Sequence, residues 1–138
     1  RIVSANSLWI FIDTETGRPV KPDEEQLRKY GTEEKLELCR ASRKIILPEG
    51  MEEQGEFSVL RHQIDTNHHV NNGQYVQMAE EFLPEGFQIR QMRAEYKKAA
   101  MLHDVIVPMA CHQDGVCTVA LCDEEKRPYA SVEFTSFV

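Results

Sequence analysis

The chain has 138 residues, 41% of them apolar and 28% charged, which suits one globular domain, or one domain with part of another. Its net charge of -7 and pI near 5.2, without an evident strong basic patch, argue against nucleic acid or an anionic membrane as the main partner. The sequence has no run of about 18 apolar residues that would predict a membrane span, and no signal peptide is recognised. The four cysteines form no CxxC pair, so we expect a cytoplasmic protein without disulfides.

The first 22 residues are predicted to form a β-hairpin. Ser7 to Asp13 is strand-like, the segment from Asp13 to Gly17 carries turn residues, and a short return strand covers Arg18 to Lys21. The chain begins without Met, and nothing precedes the hairpin to pack on it. We therefore expect residues 1–22 to be the terminal hairpin of a preceding domain that is mostly absent from the sequence.

Residues 23–54 are predicted to be a linker with short helices. An acidic start favours a helix from Glu25 to Tyr30, which Gly31 ends. A second helix at Thr32 to Cys39 is compatible with the pattern. The rest mixes charges with apolar residues and is typical of a segment that crosses a protein surface.

Residues 55–138 show the regular pattern of an α+β domain. A strand is predicted from Phe57 to Gln63, and a helix from Gly73 to Leu83, whose apolar residues recur at i, i+3, i+4 and i+7 and indicate a core-facing stripe. Further strands are predicted at Phe87 to Lys98, Asp104 to Gln113, Val116 to Cys122 and Tyr129 to Phe137. Asp114–Gly115 is a strong hairpin signal. This order predicts a five- or six-stranded antiparallel sheet wrapped on the helix.

The segment from Ile64 to Asn72 concentrates polar side chains immediately before the predicted helix. It holds one acid, two imidazoles and three carboxamides. Asp65, Asn67 and His69 alternate, so on an extended loop they would project to one side. His68 should point the other way, as a structural or solvent-facing residue. This is where the sequence most favours chemistry.

The segment before the helix can cap the helix, and the N-terminus of the helix can bind an anion. Asn71 or Asn72 can cap the helix by accepting an N–H bond in its first turn. Free N–H groups there suit an anion or a developing oxyanion. The alternative interpretation is an Asn-rich capping turn with no chemical role.

Metal and cysteine chemistry are not favoured by the spacings. The histidines match no HxxH, HExxH or Cys/His ligand pattern, so we expect no metal and no cofactor. They are His62, His68, His69, His103 and His112. Cys111 is adjacent to His112, but neighbouring strand residues face opposite ways and cannot form a catalytic dyad.

These segments, taken in order, resemble the C-terminal half of the plant and bacterial acyl-acyl-carrier-protein (acyl-ACP) thioesterases, a two-hotdog family. The resemblance rests on D-x-N-x-H-V-N-N at residues 65–72, N-x-x-Y-V-x-x-x-x-E at 72–81 and E-Y-K-K at 95–98. The opening SLWIFID and TGRP are similar to the last hairpin of the N-terminal hotdog. The resemblance implies a hotdog fold, an antiparallel sheet wrapped around a long central helix.

The resemblance also implies an activity, hydrolysis of the thioester between a fatty acyl chain and the phosphopantetheine arm of acyl carrier protein. It places Asp65, Asn67 and His69 at the family's functional positions. A helix N–H would polarise the carbonyl, Asn67 would hold the carbonyl or the water, and His69 or Asp65 would orient or deprotonate that water. The residues expected to bind substrate are Val70, Asn71, Asn72 and Tyr75.

One position departs from the family pattern. The family places a Glu directly after the two basic residues, whereas Ala99 follows Lys97 and Lys98 here. Loss of a general base is worth roughly 10²- to 10⁴-fold in rate. Asp65 or His69 would then act alone, another carboxylate would reach in, or the enzyme would be slow. On a regular strand Glu95 would be about 13 Å from position 99, and Asp104 is expected to cap the turn into the next strand.

Partners follow from the same resemblance. A basic cluster could dock the acidic carrier protein, although solvated charges explain it equally well. It comprises Arg90, Arg93, Lys97 and Lys98 with Arg40, Arg43 and Lys44. Two hotdog units are expected to pair through an open sheet edge as a homodimer. The alternatives are a non-catalytic hotdog that binds acyl thioesters or supports assembly, and an acyl-CoA thioesterase.

Overall fold

A computed structural model describes residues 4–31, 34, 42 and 44–137 of the chain. The chain divides into two compact units, Arg1–Ala41 and Ser42–Val138. Helices long and apolar enough to cross a lipid bilayer are not found in the part of the chain that the structure describes.

The first unit contains the predicted hairpin turn and the predicted helix. Ile12 and Pro19 form an antiparallel bridge, and the Gly17 N–H donates to the Asp13 carbonyl at 2.8 Å. Helix α1 spans Glu24–Tyr30 and begins with a capping box, in which Asp23 and Gln26 each accept the other's backbone N–H. The helix considered at Thr32 to Cys39 falls almost wholly outside the described residues.

In its described residues, the second unit contains one α-helix, a short 3-10 turn and a six-stranded sheet. Its elements are β1 (Glu52–Glu53), β2 (Phe57–Ser58), a 3-10 turn (Arg61–Gln63), α2 (Asn72–Glu80), β3 (Ile89–Tyr96), β4 (Val105–Gln113), β5 (Val116–Cys122) and β6 (Pro128–Ser136). The strand order is β1-β4-β5-β6-β3, every pairing is antiparallel, and β2 also pairs with β4. The predicted α+β architecture is confirmed.

The β4–β5 hairpin shows why its turn could be predicted. Asp114 and Gly115 both have positive φ, 49° and 73°, as a two-residue hairpin turn requires. A Cβ on residue 115 would lie 2.9 Å from the Ser136 hydroxyl oxygen, so a larger residue there would require the Ser136 side chain to move.

The core lies between α2 and one face of the sheet. Tyr75, Met78 and Ala79 are the buried residues of α2, which confirms three of the four residues of the predicted stripe. They join one cluster with inward residues of β5 and β6, among them Val119 and Phe134. The fourth residue of the stripe, Phe82, lies beyond the end of the helix and is partly buried against the same core. The helix is shorter than predicted and ends at Glu80. Beyond it, the N–H groups of Phe82 and Leu83 donate to carbonyls three residues back, as in a 3-10 turn.

The strand predicted from Phe57 to Gln63 is wrong beyond Ser58. The Leu60 N–H donates to the side-chain oxygen of Gln63 at 2.7 Å, and a 3-10 turn replaces the strand. This local bond removes a donor that a strand would have given to its neighbour. The chain therefore bends before it reaches the polar loop.

A segment after residue 41 lies along the sheet face opposite α2. The Ile45 N–H donates to Glu95 Oε2 at 3.0 Å, and Arg93 donates to the Ser42 carbonyl at 3.1 Å. Ile45 is 5% exposed. Glu95 pairs with Ser131 in register, whereas the neighbouring Ala94 packs on the core. Glu95 is thus part of a structural contact on the outer face.

An ionic cluster around the buried Asp123 ties the β5–β6 turn to the segment that follows β3. Asp123 is 5% exposed and accepts hydrogen bonds from the Lys98 ammonium and from the Arg127 backbone and guanidinium. Desolvation raises the pKa of the Asp123 carboxyl, but the hydrogen bonds from Lys98 and Arg127 outweigh it and hold the pKa well below its usual range.

This cluster predicts an acid-dependent loss of stability. Because the folded-state pKa of Asp123 is depressed, its contribution is complete above about pH 5 and is lost as the pH falls below about 4. We expect the free energy of unfolding to fall less steeply with acid in Asp123→Asn than in the unaltered protein. Denaturant titrations at several pH values measure this, with exposed Glu124→Gln as control. Equal pH slopes would contradict the prediction.

Candidate active site

The polar loop is closed on itself rather than extended. Ile64 and Val70 form an antiparallel bridge, and the Asp65 N–H donates to the His69 carbonyl at 2.8 Å. His68 has a left-handed φ of 63°. The extended conformation from which we inferred a common side for Asp65, Asn67 and His69 is therefore wrong. The reason is local, because an Asp carboxylate readily accepts N–H groups a few residues ahead and folds the backbone.

Asp65 organises this loop with one of its two carboxylate oxygens. Oδ1 accepts the backbone N–H of Asn67 at 2.8 Å and that of His69 at 3.3 Å. Oδ2 has no hydrogen-bond partner among the residues that the structure describes. Asp65 is half-buried, whereas Asn67 and His69 are exposed. One oxygen thus holds the loop while the other remains able to accept a proton or a water.

Asn71 is the residue that caps α2. Its backbone is extended at φ -61° and ψ 139°, and its side chain accepts the Gly73 N–H at 2.9 Å. The Gln74 N–H donates to the Asn71 carbonyl. In the described part of the chain, the Asn72 N–H has no acceptor. Asn72 therefore presents the first helical N–H to any group bound at this end of α2.

The cap gives a stability prediction. Replacing an Asn cap by Ala typically costs about 1 kcal/mol, so Asn71→Ala should lower the free energy of unfolding by about that amount. Asn72→Ala makes the same chemical change one residue later, where no capping bond is lost, and should cost less. Urea unfolding of both variants measures the difference, and equal losses would show that Asn71 does not act as the cap.

The segment that carries Ala99 lies against the loop. β3 ends at Tyr96, so the long strand predicted through Lys98 is wrong at its end. The Ala100 carbonyl accepts the Val70 N–H at 2.9 Å. Ala99 is exposed and directly precedes this bond. Position 99 is therefore a neighbour of the loop, and the distance estimate for a regular strand does not apply.

The two carboxylates considered as replacement bases are both engaged elsewhere. Glu95 accepts from Ile45 on the outer face and lies 3.7 Å from the Lys97 ammonium. Asp104 accepts the Met101 N–H at 2.8 Å and closes the turn before β4, as predicted. It also accepts the Tyr129 hydroxyl at 3.3 Å.

The residues predicted to bind substrate differ in exposure. Val70 and Tyr75 are 3% and 2% exposed and belong to the core, whereas Asn71 and Asn72 are exposed at the start of α2. The hydroxyl of Tyr75 accepts the Ala100 N–H at 2.7 Å. Sequence reasoning did not single out Tyr96, whose hydroxyl donates to the Asn72 carbonyl at 3.1 Å. Tyr96 is the tyrosine of the E-Y-K-K motif, and that position was the signal in the sequence that could have identified it.

A cleft of about 340 Å³ runs beside α2 from its first turn. Phe57, Met78 and Phe82 supply its apolar lining. Gln63 and Gln74 line the end nearest the polar loop, since the Gln63 carbonyl accepts the Asn71 N–H. The cleft gives room for an apolar group next to the loop.

Three of the seven residues of the predicted basic cluster pair with acidic neighbours. Arg93 lies 2.8 Å from Glu133, and Lys97 and Lys98 contact Glu95 and Asp123. Arg40 and Arg43 lie outside the described residues. The positive charge available to an acidic partner is therefore smaller than the sequence suggested.

Neither metal nor thiol chemistry gains support from the geometry. Within the described residues, no three His, Cys, Asp or Glu side chains group as metal ligands would. His112 lies opposite Cys117 in register, and Cys111 lies opposite Thr118. Cys117 is 1% exposed, and burial raises the pKa of its thiol, so it behaves as a core residue.

Solved structures share this architecture at low sequence identity. An acyl-ACP thioesterase from Bacteroides thetaiotaomicron is 15% identical, with a TM-score of 0.71 over 90% of this chain and 52% of its own. A 12:0-ACP thioesterase from Umbellularia californica is 18% identical, with a TM-score of 0.71 over 90% and 51%. A hypothetical protein from Staphylococcus aureus in complex with CoA is 16% identical, with a TM-score of 0.55 over 64% and 75%.

The chain spans about half the length of the first two structures. These likenesses confirm the hotdog-type fold of a helix against an antiparallel sheet. No curated protein matches the chain. Residues 48–129, more than half of the sequence, match the family described as acyl-ACP thioesterase C-terminal domain. This range contains the polar loop, α2 and position 99, and the chain belongs to the acyl-ACP thioesterase family.

Proposed function

We propose that the protein hydrolyses the thioester of fatty acyl-ACP and releases a free fatty acid and the carrier thiol. One observation carries this proposal: the hydrogen bond between Val70 and Ala100 brings the polar loop and position 99 together at the N-terminus of α2. Family membership supports the reaction class. We place this activity in cytoplasmic fatty acid metabolism.

The proposed reaction uses an activated water and needs no covalent enzyme intermediate. The thioester carbonyl oxygen accepts the Asn72 N–H, which favours the negative charge that develops when water adds to the carbonyl carbon. Asn67 holds the carbonyl or the water. Asp65 Oδ2 or the His69 imidazole takes the proton from the water. Collapse of the adduct breaks the carbon–sulfur bond, and the thiolate leaves.

Two alternatives have specific support. CoA is bound in the similar Staphylococcus aureus structure, which favours an acyl-CoA thioesterase. The absence of a carboxylate at Ala99 favours a non-catalytic hotdog that binds acyl thioesters or supports assembly. Release of free thiol from acyl-ACP and acyl-CoA with the same acyl chain, by the full gene product, separates the three. Faster turnover of acyl-ACP supports our proposal, and no turnover of either supports the binding role.

Pairing of two hotdog units as a homodimer is part of the proposal. β3 lies at the end of the strand order, and Ile89, Met92 and Tyr96 on it are 40–44% exposed. An uncovered edge with apolar side chains is a surface that a second sheet can extend. We expect sedimentation of the full gene product to show particles that contain two paired hotdog units. A mass that corresponds to a single hotdog unit would contradict the pairing.

A further inference from the structure

Tyr75 combines a core position with a polar contact at the proposed site. It belongs to the first turn of α2 and is 2% exposed. Its hydroxyl accepts the N–H of Ala100, a residue with 0% exposure. A phenylalanine would fill the same space, so packing alone does not explain the hydroxyl. Without it, the Ala100 N–H would be buried and unpaired.

The contact continues from Ala100 to the polar loop. The Ala100 carbonyl accepts the Val70 N–H at 2.9 Å, and Val70 directly follows His69. Both backbone polar groups of Ala100 are therefore engaged, one by the helix and one by the loop. Since Ala99 and Ala100 are joined by one peptide bond, this arrangement fixes position 99 against the start of α2.

A second tyrosine supports the same corner from the end of β3. The Tyr96 hydroxyl donates to the Asn72 carbonyl at 3.1 Å, and its ring centroid lies 6.0 Å from that of Tyr75. The Lys97 N–H donates to the Tyr129 carbonyl at 2.8 Å. The segment after β3 is thus held at both ends, and only Tyr75 among these side chains bonds Ala100.

We propose that Tyr75 is a positioning residue, whose hydroxyl sets the placement of the polar loop and of residue 99 through Ala100. Its effect on catalysis rests on the proposed thioesterase function. Burial raises the pKa of Tyr75, so the hydroxyl stays protonated near neutral pH and does not itself serve as a base.

Tyr75→Phe tests the proposal, because it removes the hydroxyl and keeps the ring in the core. Tyr129→Phe is the control, because Tyr129 is also a buried tyrosine, but its hydroxyl bonds Asp104 and not Ala100. Amide hydrogen exchange in the full gene product is followed by NMR at Val70 and Ala100. We expect exchange at both amides to rise about ten-fold in Tyr75→Phe, and to stay near the unaltered rate in Tyr129→Phe.

The unaltered protein supplies a further measurement that needs no variant. The Ala100 amide lies outside the strands, yet it should be protected from exchange. Rapid exchange of the Ala100 amide in the unaltered protein would overturn the positioning role. So would exchange rates at Val70 and Ala100 that are the same in Tyr75→Phe as in Tyr129→Phe.

Turnover is measured on the same samples. A positioning role predicts that Tyr75→Phe lowers kcat with little change in KM, and that any rate gained by Ala99→Glu is reduced when Tyr75→Phe is added. Faster exchange at Val70 and Ala100 in Tyr75→Phe supports the positioning role, whether or not the protein is active. If the unaltered protein hydrolyses neither acyl-ACP nor acyl-CoA, the proposed function is overturned. The two proposals can therefore fail separately.

Discussion

Ala99→Glu is expected to raise the thioesterase turnover of the full gene product by about ten-fold or more, given what general bases contribute. Position 99 is exposed and directly precedes Ala100, whose carbonyl holds the Val70 N–H. A carboxylate there would stand beside the polar loop, where it can accept a proton from water. Initial rates on acyl-ACP, compared with those of the unaltered protein, measure the gain.

Two variants control for shape and for charge. Ala99→Gln has nearly the shape of the Glu variant but cannot act as a base, so it should not raise turnover. Met101→Glu adds the same charge two residues later, at a side chain that is 44% exposed, and should also leave turnover unchanged. A gain in either control would assign the effect to something other than a base at position 99.

The remaining outcomes of this substitution are also informative. If the unaltered protein is already fast and Ala99→Glu leaves the rate unchanged, the base is Asp65 or His69 and the loop suffices. If both forms are inert on acyl-ACP and acyl-CoA, the catalytic proposal fails and the binding role replaces it.

Regular elements were predictable because their signals are local and repeated. The stripe of Tyr75, Met78 and Ala79 has helical spacing, and each residue is buried as expected. The Asp114–Gly115 turn needs two positive φ values that few dipeptides supply. β5 has the predicted bounds, Val116–Cys122. In each case, the residues that define the element also determine its main contacts.

The details of the site were less predictable because they depend on single side-chain bonds. The Gln63 side chain ends a strand by accepting the Leu60 N–H, and Asp65 folds a loop that alternation alone would leave extended. Glu95 is held by Ile45, which is 50 positions away in the sequence. Such contacts leave no periodic pattern, so the sequence identified the polar loop but not its geometry.

Asn67→Ala and His69→Ala are each expected to lower turnover by about 10²-fold or more if these side chains hold the water and take its proton. Both are exposed loop residues, so the free energy of unfolding should change by no more than about 0.5 kcal/mol. The control is His68→Gly, which removes the neighbouring imidazole and suits the left-handed φ of 63° at that position. It should keep the turnover of the unaltered protein.

Asp65 requires a different pair of variants, because it both orders the loop and is a candidate base. Asp65→Asn keeps a side-chain oxygen for the N–H groups of Asn67 and His69 but cannot accept the proton, whereas Asp65→Ala removes both functions. If Asp65 is the base, both variants should lose turnover by roughly 10²- to 10⁴-fold. If Asp65 only orders the loop, Asp65→Asn should remain active and Asp65→Ala should not, which would leave His69 as the base. Unchanged turnover in all the Asn67, His69 and Asp65 variants would reduce the segment to a helix-capping turn.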